Sequence, residues 1–211
     1  PGATGYQWRS VGVVPYNLVD GAEAGAGNFT AATSAGYDVL ASGVAATGAR
    51  SFHFAHPQAT DQTLLLNAVL VPGAGGVLQF NSRLGLASSS QLALVEVSLD
   101  DGASWATVFQ QAGEQSGFTS SQGETSFNAK AVSLAPYAGR AIRLRWRYAF
   151  SSGSFYPQVT AGAGWYVDDI TLSGVDTIAA AGTPVDIAAP AFSFTGTSAG
   201  TALLQARAGM F

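Results

Sequence analysis

The chain has 211 residues, enough to bury a full core in one large domain with an appendage. Only 10% of residues are charged, the formal net charge is −4 and Lys130 is the sole lysine, which argues against nucleic acid or anionic membrane surfaces as partners. There is no cysteine and no apolar run of membrane-spanning length, so neither disulfides nor membrane insertion is expected.

The chain opens at Pro1 with no leader pattern and is expected to be a mature or excised piece of a longer protein. Asp20-Gly21-Ala22-Glu23 follows, two acids around a glycine that lets the backbone bend and offer carbonyls. Helical periodicity is absent, because the Ala-rich pieces are broken by glycine. Short β-type runs recur instead at 49–56, 63–70, 77–84, 93–99, 106–111, 129–134, 141–150 and 165–172, separated by Gly/Ser/Asp clusters. That spacing predicts an all-β fold, an antiparallel sandwich. Pro72-Gly73-Ala74-Gly75-Gly76 predicts a turn, and Leu99-Asp100-Asp101-Gly102 a hairpin loop. Residues 98–105 match the Ser-x-Asp-x-Gly-x-Ser/Thr-Trp pattern called an Asp box. One copy predicts a hairpin with no bearing on catalysis. The stretch 114–127 has no core pattern and reads as a surface loop.

Composition shifts after Val175. Residues 176–187 read as a linker, leading to β-type runs at 191–195 and 201–208 around Ser198-Ala199-Gly200. A lone hairpin is marginal in water. The expected organisation is therefore a main domain over 1–175, with a linker and partial second β unit over 176–211.

Three groups of residues are candidates for function. In Gly164-Trp165-Tyr166-Val167-Asp168-Asp169-Ile170, two adjacent carboxylates interrupt a strand-like run. Alternation sends Trp165, Val167 and Asp169 to one side, and Tyr166, Asp168 and Ile170 to the other. At least one carboxylate must then sit in a crowded interior, where it needs a counter-charge, backbone donors or a metal ion. Calcium, which takes six to eight oxygens from carboxylates and carbonyls, suits Asp20, Glu23, Asp168 and Asp169, with Asn67 as a further oxygen. The alternative is turn carboxylates satisfied by arginines and amides. Arg143, Arg145 and Arg147 alternate with Ile142, Leu144, Trp146 and Tyr148, so one strand face is a guanidinium ladder and the other is core. Glu96 is expected opposite. The ladder is either a salt-bridged solvated face or a recognition surface for carboxylates and sugar hydroxyls. His53 and His56 are expected on opposite faces of one strand, which disfavours a shared metal, and no nucleophile motif accompanies them. Tyr6, Trp8, Tyr16, Phe155 and Tyr156 are candidate stacking aromatics.

Taken in order, the motifs resemble a known family. Asp20-Gly21-Ala22-Glu23, Ser51-Phe52-His53, Val95-Glu96-Val97-Ser98, Asp101-Gly102-Ala103-Ser104-Trp105, Tyr137-Ala138-Gly139-Arg140, Arg143-Leu144-Arg145-Trp146-Arg147-Tyr148 and the closing Trp-Tyr-Val-Asp-Asp-Ile resemble the MAM-like jelly-roll domain of secreted bacterial multidomain proteins. Such a domain follows the catalytic domain of immune-inhibitor-A-like metallopeptidases. The resemblance covers roughly residues 15–175. It implies a noncatalytic jelly-roll sandwich, stabilised by a structural ion, that serves adhesion, docking or packing against neighbouring domains. It also implies that Asp20 or Glu23 and Asp168 or Asp169 are ion ligands, and that 192–208 begins an immunoglobulin-like unit. Unlike animal MAM domains, the chain has no cysteines.

The expectation is thus a secreted or cell-surface binding or scaffolding module that carries structural calcium. Its partners would be neighbouring domains and a glycan or protein ligand. The alternatives are a carbohydrate-binding module, using Arg143, Arg145, Arg147, Glu96 or Tyr156, and a glycan-active hydrolase or lyase.

Overall fold

The computed structural model describes residues 5–114, 123–153, 155–181, 185–187 and 202–209. Its strands in chain order are β1 (Gly5–Tyr16), β2 (Val19–Asp20), β3 (Phe29–Ala32), β4 (Leu40–Ser42), β5 (Arg50–Phe54), β6 (Gln62–Leu66) and β7 (Leu70–Leu84). They continue with β8 (Gln91–Ser98), β9 (Ala106–Ala112), β10 (Asn128–Ser133), β11 (Arg143–Phe150), β12 (Trp165–Ala181), β13 (Val185–Ile187) and β14 (Ala202–Gly209). A 3₁₀ turn, Ala135–Tyr137, follows β10. Among the described residues no helix is long and apolar enough to cross a membrane.

The strands form two antiparallel sheets. One runs β3-β6-β11-β8-β9, and the other is built on β10-β7-β12-β1, with β2 and β5 also paired to β12. Successive strands from β5 to β8 alternate between the sheets, as do β10 to β12, so each crossing closes the sandwich. The all-β sandwich is therefore as the runs of alternating residues require, and each of the eight expected runs is a strand. The mechanism is clearest in β11, where Leu144, Trp146 and Tyr148 are fully buried and the intervening arginines are half-exposed. They pack against Phe52, Phe80, Trp165, Val167 and Leu172 from the other sheet. Some of the aromatic contacts between the sheets are edge-on, as between Phe80 and Trp146 at 6.4 Å.

Three expectations are corrected. The glycine-rich stretch after Pro72 is not a turn preceding a strand but part of β7. Gly73, Ala74, Gly75 and Gly76 together face Gly174 alone, between the pairs Pro72–Val175 and Val77–Ser173. A Cβ on Gly174 would meet the Gly75 carbonyl oxygen at 2.7 Å, which is why this bulge needs glycine. Residues 176–181, expected as linker, continue β12, because Val11–Tyr16 of β1 provide hydrogen-bonding partners through Ala181. Beyond them β13 and β14 pair with β1, β14 along Gly5–Gly12. The expected run at 191–195, the turn at 198–200 and residues 115–122 of the surface loop lie outside the described residues.

The third correction places the site. Asp169 has φ +48° and occupies a bulge in β12, between the pairs Asp168–Asn81 and Thr171–Gln79. The extra residue resets the alternation. Ile170 and Leu172 join Trp165 and Val167 in the core, instead of Ile170 lying opposite them. Neither carboxylate enters the apolar core.

Candidate functional site

The β12 bulge meets the start of the sandwich. β2 pairs with β12, Asp20 opposite Ile170 and Val19 opposite Thr171. Asp20, Glu23, Asp168 and Asp169 are thereby brought to one junction. A Cβ on Gly21 would lie 3.4 Å from an Asp169 oxygen and 3.6 Å from one of Asp168, so this stretch of backbone runs against both carboxylates.

Asp168 is fully buried and is met by the backbone of residues 46–47. Its Oδ2 accepts from the amides of Ala46 (2.7 Å) and Thr47 (3.3 Å), and Oδ1 from Asp169 N (2.7 Å). Burial nevertheless pushes its pKa up, the amides only partly countering it. Asp169 accepts from Thr47 Oγ1 (2.6 Å) and Asn81 Nδ2 (2.8 Å). Asp20 closes an Asx turn on Ala22 N (2.9 Å) and accepts from Asn28 Nδ2 (2.7 Å). Glu23 Oε1 accepts from Ala49 N and Arg50 N, both at 2.7 Å, and these amides hold its pKa down. Asn67 is not part of the junction: it binds Thr30 Oγ1 and the Gly27 carbonyl. Among the described residues none of the four carboxylates has a Lys, Arg or His ion pair. No three acidic or His side chains there converge as a preformed metal centre.

The guanidinium ladder has the opposite character. Arg145 Nε donates to Glu96 at 2.7 Å, Arg147 bridges Asp61 (2.7 Å) and Glu96 (3.2 Å), and Arg143 lies 3.6 Å from exposed Asp101. The Glu96 side chain is 5% exposed. The Arg145 guanidinium also stacks on Trp105, 3.9 Å from the ring centre. That tryptophan closes the Asp-box hairpin. Asp100 accepts from Ser98 Oγ and from both the amide and hydroxyl of Ser104, which lower its pKa to about 2, and Gly102 (φ +97°) accepts from Trp105 Nε1.

The histidines are structural. His53 lies flat on Tyr166, 4.0 Å between ring centres, and donates Nε2–H to the Ala163 carbonyl. His56 is fully buried on Tyr148 at 4.2 Å. Gln91 donates to its Nδ1, which leaves the proton on Nε2 for the Tyr148 carbonyl. Burial lowers both pKa values. Tyr156 is 65% exposed beside Val159 and Leu86, and Phe155 packs edge-on against Phe150. The side chains of Tyr6 and Trp8 lie outside the described residues.

Sequence reasoning missed Thr47, Asn81 and Arg83. Asn81 and Arg83 carry a readable signal, since they alternate on β7 with the buried Phe80, Ser82 and Leu84. The amides of 46–50 carry none.

No family model and no curated protein matches the chain. Among solved structures, it is similar to two cleaved adhesin domains of Lys-gingipain from Porphyromonas gingivalis. One is 20% identical with a TM-score of 0.52, covering 74% of this chain and 97% of that domain. The other is 16% identical, also with a TM-score of 0.52, covering 76% and 99%. At these identities the likeness establishes the β-sandwich fold.

Proposed function

We propose that this chain is a noncatalytic extracellular binding module of the MAM-like jelly-roll kind, part of a larger secreted protein, with its two strand ends clamped by calcium. The observation that carries the proposal is the acidic junction: four carboxylates, one fully buried with a raised pKa, none in a salt bridge among the described residues, and Arg50 acting only at a distance on Glu23. Backbone amides and neutral side-chain donors lower the cost of each charge but leave the mutual repulsion. Asp20, Glu23, Asp168 and Asp169 would hold the ion. Calcium accepts carbonyl and water oxygens alongside carboxylates, so it does not require three preconverged side chains. The ion would supply charge neutralisation and no chemistry. A binding role is in keeping with the adhesin name of both fold neighbours. A glycan hydrolase would need an unengaged carboxylate pair across a cleft, whereas the junction carboxylates are tied to amides and side-chain donors, and Glu96 is paired with guanidinia.

Thermal unfolding in calcium and in chelator tests this. An ion that binds only the folded state at a hundredfold excess over Kd adds about 2.7 kcal/mol, so calcium should raise Tm by several degrees. Asp169→Asn should abolish that increment while leaving the chelator curve nearly in place. Asparagine tolerates the positive φ that alanine does not. Superimposable wild-type melts in calcium and chelator would overturn the clamp.

A further inference from the structure

Next to the junction, on the outer face of the larger sheet, lies an open cleft of about 600 Å³ lined by Ala45, Asn81, Arg83, Thr125, Ser126 and Phe127 among others. Among the described residues, Arg83 is the one charged residue that lines it. The guanidinium is held in place twice. It lies over the Tyr166 ring, 5.4 Å from the centre, and its Nε donates to the Glu124 carbonyl at 3.1 Å. The Glu124 carboxylate does not pair with it, being committed to Leu84 N and Asn128 Nδ2. Among the described residues the two terminal nitrogens of Arg83 have no hydrogen-bond partner. This contrasts with Arg143, Arg145 and Arg147, each of which has a carboxylate.

We infer that this cleft is a subsite for an acidic sugar, a uronic acid unit of a glycan whose carboxylate is taken by the Arg83 fork. A planar, pinned guanidinium with two free donors matches a carboxylate bidentately, and its immobilisation is complete before the ligand arrives. Among the described residues Asn81 uses only its amide nitrogen internally, toward Asp169, so its Oδ1 can accept from a sugar hydroxyl. Thr125 and Ser126 add exposed hydroxyls, and half-exposed Phe127 offers an apolar ring to the sugar's C–H face. The volume lies within the range of small-ligand sites, roughly 300–1,000 Å³. Asp168 and Asp169 do not line the cleft. The inference rests on the binding-module proposal and names its ligand class.

The test is calorimetric titration of the full chain, in calcium, with trimers of galacturonate, glucuronate and mannuronate and with their uncharged methyl esters. At least one acid trimer should bind saturably, and its ester about tenfold more weakly or worse. Arg83→Gln should weaken binding by about ten- to a hundredfold, with Arg83→Lys intermediate because it keeps the charge without the fork. Arg145→Gln should bind as wild type. Melting curves establish that each variant is folded, and Arg83→Lys or Phe127→Ala replaces Arg83→Gln if that variant is not. No saturation by any acid trimer overturns the subsite, as does equal binding of acid and ester or wild-type affinity in folded Arg83→Gln. Equal binding of acid and ester would leave a glycan-binding module standing without this recognition. Loss of all sugar binding with the calcium shift intact would leave the clamp standing alone.

Discussion

The guanidinium ladder on β11 and the acidic junction on β12 both crowd like charges, and they relieve the crowding differently. On the ladder, Glu96 and Asp61 reach the arginines at 2.7 Å and Trp105 covers Arg145, so the face neutralises itself. At the junction the partners are neutral: amides of 46–50, the Thr47 hydroxyl and two asparagines. A self-neutralised face offers little to a charged ligand, because binding would first have to break pairs already made. A junction hydrogen-bonded by dipoles, with only the Arg50 charge acting on Glu23, keeps a net negative charge and remains a site for a cation. Density of charged residues alone would have ranked the two the other way.

The comparison breaks most visibly at Glu96. Glu96→Gln leaves Arg145 and Arg147 half-buried without their shared charge. Losing one partner of a buried pair costs about 3–5 kcal/mol, and the partial exposure of both arginines should reduce this to about 2 kcal/mol. Urea unfolding measures it directly, and the double variant with Arg145→Gln should recover part of the loss through their coupling. A loss below about 0.5 kcal/mol would mean the ladder is an ordinary solvated face. At the junction, Gly48→Ala is next in size. Gly48 has φ +66°, so an alanine there should cost about 1–2 kcal/mol in backbone strain. Its Cβ would also come within 2.3 Å of Glu23 Oε1 and push that side chain off the amides of Ala49 and Arg50. Gly48→Ala should therefore shrink the calcium increment in Tm as well as stability. Gly36→Ala also sits at a positive φ, +76°, with nothing within 4 Å of its Cβ. It should cost similar stability and leave the increment whole.

What was legible in the sequence follows the same physical division. Period-two alternation on β8 and β11 places the arginines on one face with Glu96 across from Arg145, because sheet register carries side-chain direction directly. The meeting of Asp20 with the Asp168-Asp169 pair was legible through the expected sandwich topology, in which the first and last strands meet. The bulge was not legible. A positive φ at a residue other than glycine is imposed by pairing with β7, and strict alternation put Ile170 on the wrong side. Nor was the cover over Asp168 legible, since its donors are backbone amides that any sequence possesses. The short strands β2, β3 and β4 carry too few residues for a period to show.

The smallest effect separates the buried junction carboxylate, Asp168, from the two histidines. Neutral His53 and His56 have lowered pKa values, so below the unfolded value of about 6.5 the unfolded chain binds protons that the folded chain refuses, and stability falls as pH drops. Asp168 works in the reverse sense. Its folded pKa is raised above 3.8, so the folded chain takes up the extra proton and gains stability as pH falls toward that value. As pH falls from 6.5 toward 3.8, in chelator, the two contributions oppose, and the Asp168 gain tempers the decline of the wild-type Tm. Asp168→Asn removes the opposing contribution, so its Tm should fall more steeply over the same interval, whatever its stability at pH 7. Calcium should steepen the wild-type decline as well, since protons and the ion compete for the same carboxylate. Parallel slopes for wild type and Asp168→Asn in chelator would mean that Asp168 is fully stabilised by the amides of Ala46, Thr47 and Asp169, and that the junction has no need of a cation at its buried end.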